Sequence, residues 1–276
     1  QLVFTSLNWN APQTVTITGV DDSIVDGDQP YQVTLAAATS ADAAYNGRDP
    51  ADVSVTNLDN DTAGFVVSPT TGLVTTESGG TTTFSVVLLS QPSASVTIPV
   101  ASSDPTEGTV STALLAFTPA NWNAPQTVTV TGKDDAVADG NQPYRVVLSA
   151  ASSTDASYSG LDPADVSITN LDNDSAGILV DPTTGLATTE AGGTATFTVV
   201  LLSQPTQNVT IPVSSSDTTE GTVSTTLLTF TPANWNAPQT VTVTGVDDFV
   251  ADGNQPYTIV LAAATSADPG YNTRDA

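Results

Sequence analysis

The sequence predicts an all-β protein made of tandem seven-strand β-sandwiches of immunoglobulin-like type, stacked end to end. Two observations indicate this fold class. The segment NWNAPQTVT begins at residues 8, 121 and 234, so one unit recurs every 113 residues. Short runs rich in Thr, Val and Ile lie between clusters of Gly, Pro, Asn and Asp, and no stretch shows the 3.6-residue apolar period of a helix.

The middle unit contains seven such runs, which is the strand number of an immunoglobulin-like sandwich. The fifth run alternates Val128 and Val130 with threonines, which predicts one apolar face and one hydroxyl face. The first run is interrupted at Ser68-Pro69. The predicted strands cover residues 63 to 76, 82 to 89, 95 to 103, 108 to 118, 127 to 133, 144 to 151 and 165 to 171.

No linker separates the units, because the segment LDND at residues 58 and 171 runs directly into the next first strand. We therefore expect a first repeat, residues 1 to 61, that is the C-terminal part of a unit. A complete middle repeat covers residues 62 to 174, and a last repeat, residues 175 to 276, lacks its seventh strand. The simplest account is a window on a longer array. Strand complementation between neighbouring molecules is the alternative.

The composition excludes several function classes. Four Lys and Arg stand against 29 Asp and Glu, a net charge of -25, which excludes nucleic acid and anionic membrane surfaces as partners. The chain contains no His, Cys or Met, so zinc sites with nitrogen or sulfur ligands, thiol chemistry and imidazole-dependent triads are excluded. No apolar run approaches the length of a membrane span.

The acidic residues are expected to converge on one end of each sandwich. If the strands alternate in direction, the turns that follow the first, third, fifth and seventh strands share one pole, and this pole faces the next repeat. The acids of these turns in the middle repeat are Glu77, Asp104, Asp134, Asp135, Asp139, Asp172 and Asp174. The acids of the opposite pole, including Asp155 and Asp162, are interpreted as turn residues.

So many carboxylates at one pole repel one another unless cations bind, since two charges ~4 Å apart repel by about 4 kcal/mol even at an effective dielectric of 20. Oxygen-only ligands in this number favour Ca²⁺ over zinc or copper, and also over the strictly octahedral magnesium. The predicted cofactor is therefore Ca²⁺. The equivalent predicted ligands of the other two repeats are Asp21, Asp22, Asp26, Asp59, Asp61, Glu190, Asp217, Asp247, Asp248 and Asp252.

The order and spacing of four motifs resemble the Calx-β domain: TTExGGTxTFxVxLLSQP, SxDxTEGTVS, TVTVTGxDD with an acid four residues on, and VxITNLDND. The resemblance covers the whole chain. It implies a seven-strand sandwich with a calcium cluster at the pole adjoining the next domain, formed by the acids named above. Two departures from the family's pattern imply fewer or more weakly bound ions. Asn60 and Asn173 replace the middle acid of a terminal run of three, and Gln29, Gln142 and Gln255 stand where a Glu often follows.

The sequence favours a structural function over a catalytic one. The leading hypothesis is a calcium-stiffened stalk of an extracellular or bacterial cell-surface adhesin, whose partners are neighbouring repeats or identical subunits. A self-assembling filament and a calcium-sensing module are the alternatives. A glycosidase with paired carboxylates is disfavoured, because every acidic pair recurs with the repeat and catalytic sites are rarely triplicated.

Overall fold

A computed structural model describes residues 1 to 248, 250 to 251 and 253 to 276. All of its regular elements are β-strands, which confirms the predicted all-β fold. Within this described part, no helix has the length and apolar character needed to cross a bilayer.

In the described residues, twenty strands are distributed over the three repeats. The first repeat contains β1 (Gln29–Val33) and β2 (Val53–Asn57). The middle repeat contains β3 (Phe65–Ser68), β4 (Leu73–Thr76), β5 (Thr81–Leu88), β6 (Val96–Ser102), β7 (Gly108–Val110), β8 (Leu114–Phe117), β9 (Gln126–Gly132), β10 (Gln142–Leu148), β11 (Ser152–Ser153) and β12 (Val166–Leu171). The last repeat contains β13 (Ile178–Asp181), β14 (Thr194–Leu201), β15 (Val209–Ser215), β16 (Gly221–Val223), β17 (Leu227–Phe230), β18 (Gln239–Gly245), β19 (Ile259–Leu261) and β20 (Thr265–Ser266).

The middle repeat is a sandwich of two sheets. One sheet has the order β3-β5-β9-β7, and the other has the order β11-β6-β10-β12-β4 with β8 also paired to β6. The inward positions of the alternating strands form one apolar core, in which Phe84, Ile98, Phe117, Val128 and Leu148 are all at most 3% exposed. The outward positions are mostly Thr, Ser and other polar residues, as the period-2 pattern predicts.

The structure corrects the predicted limits of the fourth strand. The run from 108 to 118 is two strands, because β7 pairs with β9 in one sheet and β8 pairs with β6 in the other. The first strand changes sheets in the same way at Ser68-Pro69, where the predicted interruption falls: β3 pairs with β5, and β4 pairs in parallel with β12. Each of these two predicted strands therefore contributes to both sheets and connects them.

The first and last repeats lack some of these partners. The segment 186 to 189 corresponds to β4 but forms no strand, and the positions equivalent to its partner β12 lie after residue 276 of this sequence. In the first repeat, only the hairpin of β1 and β2 is regular. The last repeat nevertheless has its own core, which includes Phe197, Ile211 and Phe230.

The same contact joins consecutive repeats at both junctions. The backbone N–H of Gln91, in the turn after β5, donates a hydrogen bond of 2.7 Å to the carbonyl of Ser23. One period later, the N–H of Gln204 donates to the carbonyl of Ala136 at 2.6 Å. Ser23 and Ala136 lie in the loops that begin with the Asp-Asp pairs. The acidic pole of the first repeat therefore faces the turn between β5 and β6, and that of the middle repeat faces the turn between β14 and β15.

Candidate metal centre

Two groups of carboxylates lie side by side at the acidic pole of the middle repeat. The first group consists of Glu77, Asp134 and Asp174, and each contributes an oxygen that lies within 4.8 Å of the others. Glu77 follows β4 and is 3% exposed, Asp134 follows β9, and Asp174 follows β12. The backbone N–H of Asn173 donates to Glu77 Oε2 at 3.0 Å, and the Asn173 side-chain amide donates to Asp134 Oδ1 at 3.1 Å.

The second group consists of Glu107, Asp135 and Asp139. Each of these residues also contributes a carboxylate oxygen that lies within 4.8 Å of the other two. Glu107 precedes β7 and is 8% exposed, whereas the two aspartates are exposed on the loop between β9 and β10. Asp135 Oδ1 accepts a hydrogen bond of 2.7 Å from the N–H of Val137, which folds this loop back on itself. Adjacent Asp134 and Asp135 thus serve different groups, so the Asp-Asp pair bridges the two.

The electrostatics of the ion-free pole favour a bound cation. Burial raises the pKa of the Glu77 carboxyl to about 7, and the charges of Asp172, Asp135 and Asp174 add to this effect while a hydrogen bond from Asn173 opposes it. Burial, followed by neighbouring aspartates, also raises the pKa of Asp174. Burial likewise raises the pKa of Glu107. Burial and the repulsion between neighbouring acids thus favour the protonated form of these carboxyls, and a bound cation would oppose both effects.

One atom tests whether the residues fit a metal ion. In the described ranges, Asp174 Oδ2 is the only buried side-chain oxygen or nitrogen of a non-exposed residue that lacks a hydrogen-bond partner. A buried carboxylate oxygen without a partner costs free energy unless a water molecule or an ion satisfies it. Asp174 belongs to the first group. All the candidate ligand atoms of this group are carboxylate oxygens, which suits a hard cation such as Ca²⁺. The residues therefore fit Ca²⁺, with one position for an ion in each group.

Two of the predicted ligands lie at the same pole but outside the two groups. Asp104 Oδ1 accepts hydrogen bonds from the N–H and the hydroxyl of Thr106, which lower the pKa of this carboxyl. Asp172 accepts from the N–H of Asp174 at 2.7 Å and from the N–H of Gly140 at 2.6 Å. Both carboxylates shape the loops that carry the clustered acids. That they also bind ions stays a prediction.

In the first repeat, the predicted acids line one open pocket of about 210 Å³, and no group of three meets the same distance limit within the described residues. Their hydrogen bonds repeat those of the middle repeat: Gly27 and Asp61 donate to Asp59 as Gly140 and Asp174 donate to Asp172. The positions equivalent to Glu77 and Glu107 lie before residue 1 of this sequence. The acids that line the pocket are Asp21, Asp22, Asp26, Asp59 and Asp61.

In the last repeat, the described acids form no such group either. Glu190 is exposed, in contrast to the buried Glu77. Asp217 accepts hydrogen bonds from Thr219, as Asp104 does from Thr106. Asp247 is exposed and Asp248 accepts from the N–H of Val250, whereas Asp252 lies outside the described residues.

Sequence reasoning did not include Glu107 among the ligands. It assigned the turn after the third strand to Asp104, the other acid of the same turn. A signal was available, because the chain has only four Glu, and Glu107 and Glu220 both precede Gly-Thr-Val. Asn170, buried at 1% exposure beside Glu107, was read only as a strand residue, although it occupies an inward position of an otherwise apolar face.

The fold and the site together define a class of protein, namely tandem β-sandwiches that carry clusters of carboxylates at one pole. The model of the Calx-beta domain matches residues 1–61, 59–175 and 172–274. The chain belongs to the Calx-beta family. A comparison with curated proteins gives no match.

The solved structures that resemble the chain include two fragments of the same type. CBD12 from CALX1.2 is 16% identical, with 75% of this chain and 82% of that chain covered and a TM-score of 0.33. The calcium binding domain CBD12 of CALX1.1 is 15% identical, with 73% and 80% covered and a TM-score of 0.34. Domains 1-6 of the surface layer protein SbsC are 17% identical, with 76% and 27% covered and a TM-score of 0.26. Likenesses this low carry no functional argument.

Proposed function

We propose that this chain is part of a calcium-stiffened structural array, the stalk of an extracellular or bacterial cell-surface protein. The observation that carries the proposal is the position of the acids. The loop that holds Asp134, Asp135 and Asp139 also accepts the hydrogen bond from Gln204 of the next repeat through Ala136. An ion in either group therefore acts on the segment to which the next repeat is attached.

The path from ion to junction is short. Asp174 belongs to the first group and lies four residues before β13, the first strand of the last repeat. When both groups hold Ca²⁺, the end of β12 and the loop after β9 are tied together, so the chain leaves the middle repeat in one direction. Ca²⁺ supplies the positive charge, and the carboxylates supply the directional ligands. Without ions, the same carboxylates repel and the junction keeps only its backbone hydrogen bond and local packing.

Small-angle X-ray scattering on the full chain tests the proposal. With Ca²⁺ we expect a long, sharply defined maximum dimension, and in EDTA a broader distribution of distances. The matched control is the double variant Glu77→Gln, Glu107→Gln, which removes one carboxylate from each group and should give the broad distribution in both buffers. If the wild-type distance distribution is the same in both buffers, the junction is stiff without calcium and the proposed function is wrong.

A further inference from the structure

Asn170 connects the segments that carry the candidate ligands. It is 1% exposed and occupies the last inward position of β12, after Val166 and Ile168. Its Nδ2 donates to Glu107 Oε2 at 3.2 Å and to the carbonyl of Lys133 at 3.1 Å. Its Oδ1 accepts from the Thr75 hydroxyl at 2.9 Å.

The surroundings fix the orientation of this amide. The backbone carbonyl of Lys133 can only accept a hydrogen bond, so the NH₂ group must face Lys133 and Glu107 and the oxygen must face Thr75. One of these contacts recurs in the first repeat, where Asn57 Nδ2 donates to the carbonyl of Val20, the residue equivalent to Lys133, at 2.9 Å. An aspartate in this position would place a second negative charge against Glu107 and donate nothing.

Each partner of Asn170 adjoins a candidate ligand. Lys133 immediately precedes Asp134 and Asp135, and Thr75 lies two residues before Glu77. The Thr75 hydroxyl also hydrogen-bonds the Tyr144 hydroxyl at 3.1 Å, which extends the buried network within the same sheet to β10. Among these contacts, only the bond to Glu107 reaches a carboxylate of either group, so Asn170 acts directly on the second group.

We propose that Asn170 is a positioning residue that orients Glu107 for cation binding in the group of Glu107, Asp135 and Asp139. The inference rests on the calcium binding proposed above. Its physical basis is the general behaviour of metal ligands, which are held in place by hydrogen bonds from residues behind them. Loss of such a partner typically lowers metal affinity by about 10- to 100-fold.

The test compares Asn170→Leu with Thr75→Val in the full chain, by calorimetric titration with Ca²⁺. Both variants remove a buried hydrogen bond from the same network, but only Asn170→Leu removes the donor to Glu107. We expect Asn170→Leu to lower the affinity for one Ca²⁺ ion of the middle repeat by about 10-fold or more and to leave the affinity for the other ion nearly unchanged. Thr75→Val should lower the melting temperature in EDTA and leave both affinities nearly unchanged.

Double variants identify the ion that is affected. Asn170→Leu should add little to the loss caused by Glu107→Gln, because both act on the second group, and should add its full effect to Glu77→Gln. Equal weakening of both ions, or an equal effect of Thr75→Val, would mean general destabilisation and would overturn the proposal. If Asn170→Leu does not fold, Asn170→Ser, which is too short to reach Glu107, replaces it in the same comparison. If the wild-type chain binds no Ca²⁺, the proposed function fails with it, whereas normal wild-type binding with an unaffected variant refutes only the role of Asn170.

Discussion

Removal of calcium should lower the thermal stability of the middle repeat by an amount that follows from its two carboxylate groups. A ligand that binds only the folded state, at about 100 times its Kd, stabilises that state by about 2.7 kcal/mol per site. Two groups, each with room for one ion, therefore contribute about 5 kcal/mol. For a domain of this size, each kcal/mol corresponds to about 4 °C in the melting temperature, so the expected shift is about 20 °C.

Tryptophan fluorescence can follow the middle repeat alone. Trp122 packs against its core, whereas Trp9 belongs to the first repeat and Trp235 packs against the last. The full chain with Trp9→Phe and Trp235→Phe should therefore report unfolding of the middle sandwich through Trp122. Melting curves are recorded in Ca²⁺, in Mg²⁺ at equal ionic strength and in EDTA.

The comparison separates ion binding from screening. Screening of surface charge acts similarly for both divalent ions, whereas the flexible coordination of Ca²⁺ suits crowded carboxylates better than the octahedron of Mg²⁺. The Glu77→Gln, Glu107→Gln variant should melt at nearly the same temperature in all three buffers. A wild-type melting temperature that moves equally little in Ca²⁺ and Mg²⁺ would refute the assignment of the two groups as calcium sites.

Three further predictions concern single groups. Because the pKa of Glu77 is raised to about 7, the ion-free fold binds this proton more tightly than the unfolded chain. That contribution to stability is present below about pH 4.5 and lost as pH rises through about 7. Calcium binding near pH 6.5 should accordingly release more than half a proton from Glu77, and binding near pH 8.5 should release almost none. Calorimetric titrations in buffers of different ionisation enthalpy measure this release. Equal release at both pH values would contradict the assignment of Glu77 as a calcium ligand. Asp174→Asn should weaken calcium binding by about 10-fold or more. The control variant Asp162→Asn, at an exposed residue of the opposite pole, should leave calcium binding unchanged. Equal calcium titration curves for the two variants would contradict the role of the unpartnered Oδ2 of Asp174. Tyr158→Phe should lower the free energy of unfolding in urea by about 2 kcal/mol without changing calcium affinity, because the buried hydroxyl bonds the backbone N–H and carbonyl of Ser90; an unchanged midpoint would contradict this.

The convergence of the acids could be anticipated from the sequence because it depends only on strand count and direction. Seven alternating strands place the turns after the first, third, fifth and seventh at one pole, whatever the details of pairing. The parallel pairing of β4 with β12 agrees with that alternation. The exact ligands depend on finer geometry. Asp104 and Glu107 share one turn, and only the hydrogen bonds of Asp104 to Thr106 show which of the two points into the group.

Pairing across the sandwich was harder to predict than strand existence. The run from 108 to 118 has strand-like composition throughout, and only its partners reveal that β7 and β8 belong to different sheets. The role of Asn170 also depends on distant partners, since Glu107 lies 63 residues away in the chain. The partners of Asp155, which the sequence analysis interprets as a turn residue, also include a distant one, because its carboxylate accepts hydrogen bonds from the N–H groups of both Ser157 and Ser93.

The two poles of a repeat are chemically complementary. At the acidic pole, one buried carboxylate oxygen, Asp174 Oδ2, has no hydrogen-bond partner among the described residues. At the opposite pole the acids are satisfied internally, as Asp155 is by Ser93 and Asp268 is by Thr206. The contact between consecutive repeats therefore joins a pole that carries a carboxylate oxygen without a partner to a pole whose acids accept hydrogen bonds from their own loops. Because this contact joins unlike poles, it is a heterologous, head-to-tail interface, which does not close on itself as a two-fold interface does. Each added repeat presents the same acidic pole again, and the same contact can extend the array by one sandwich at a time.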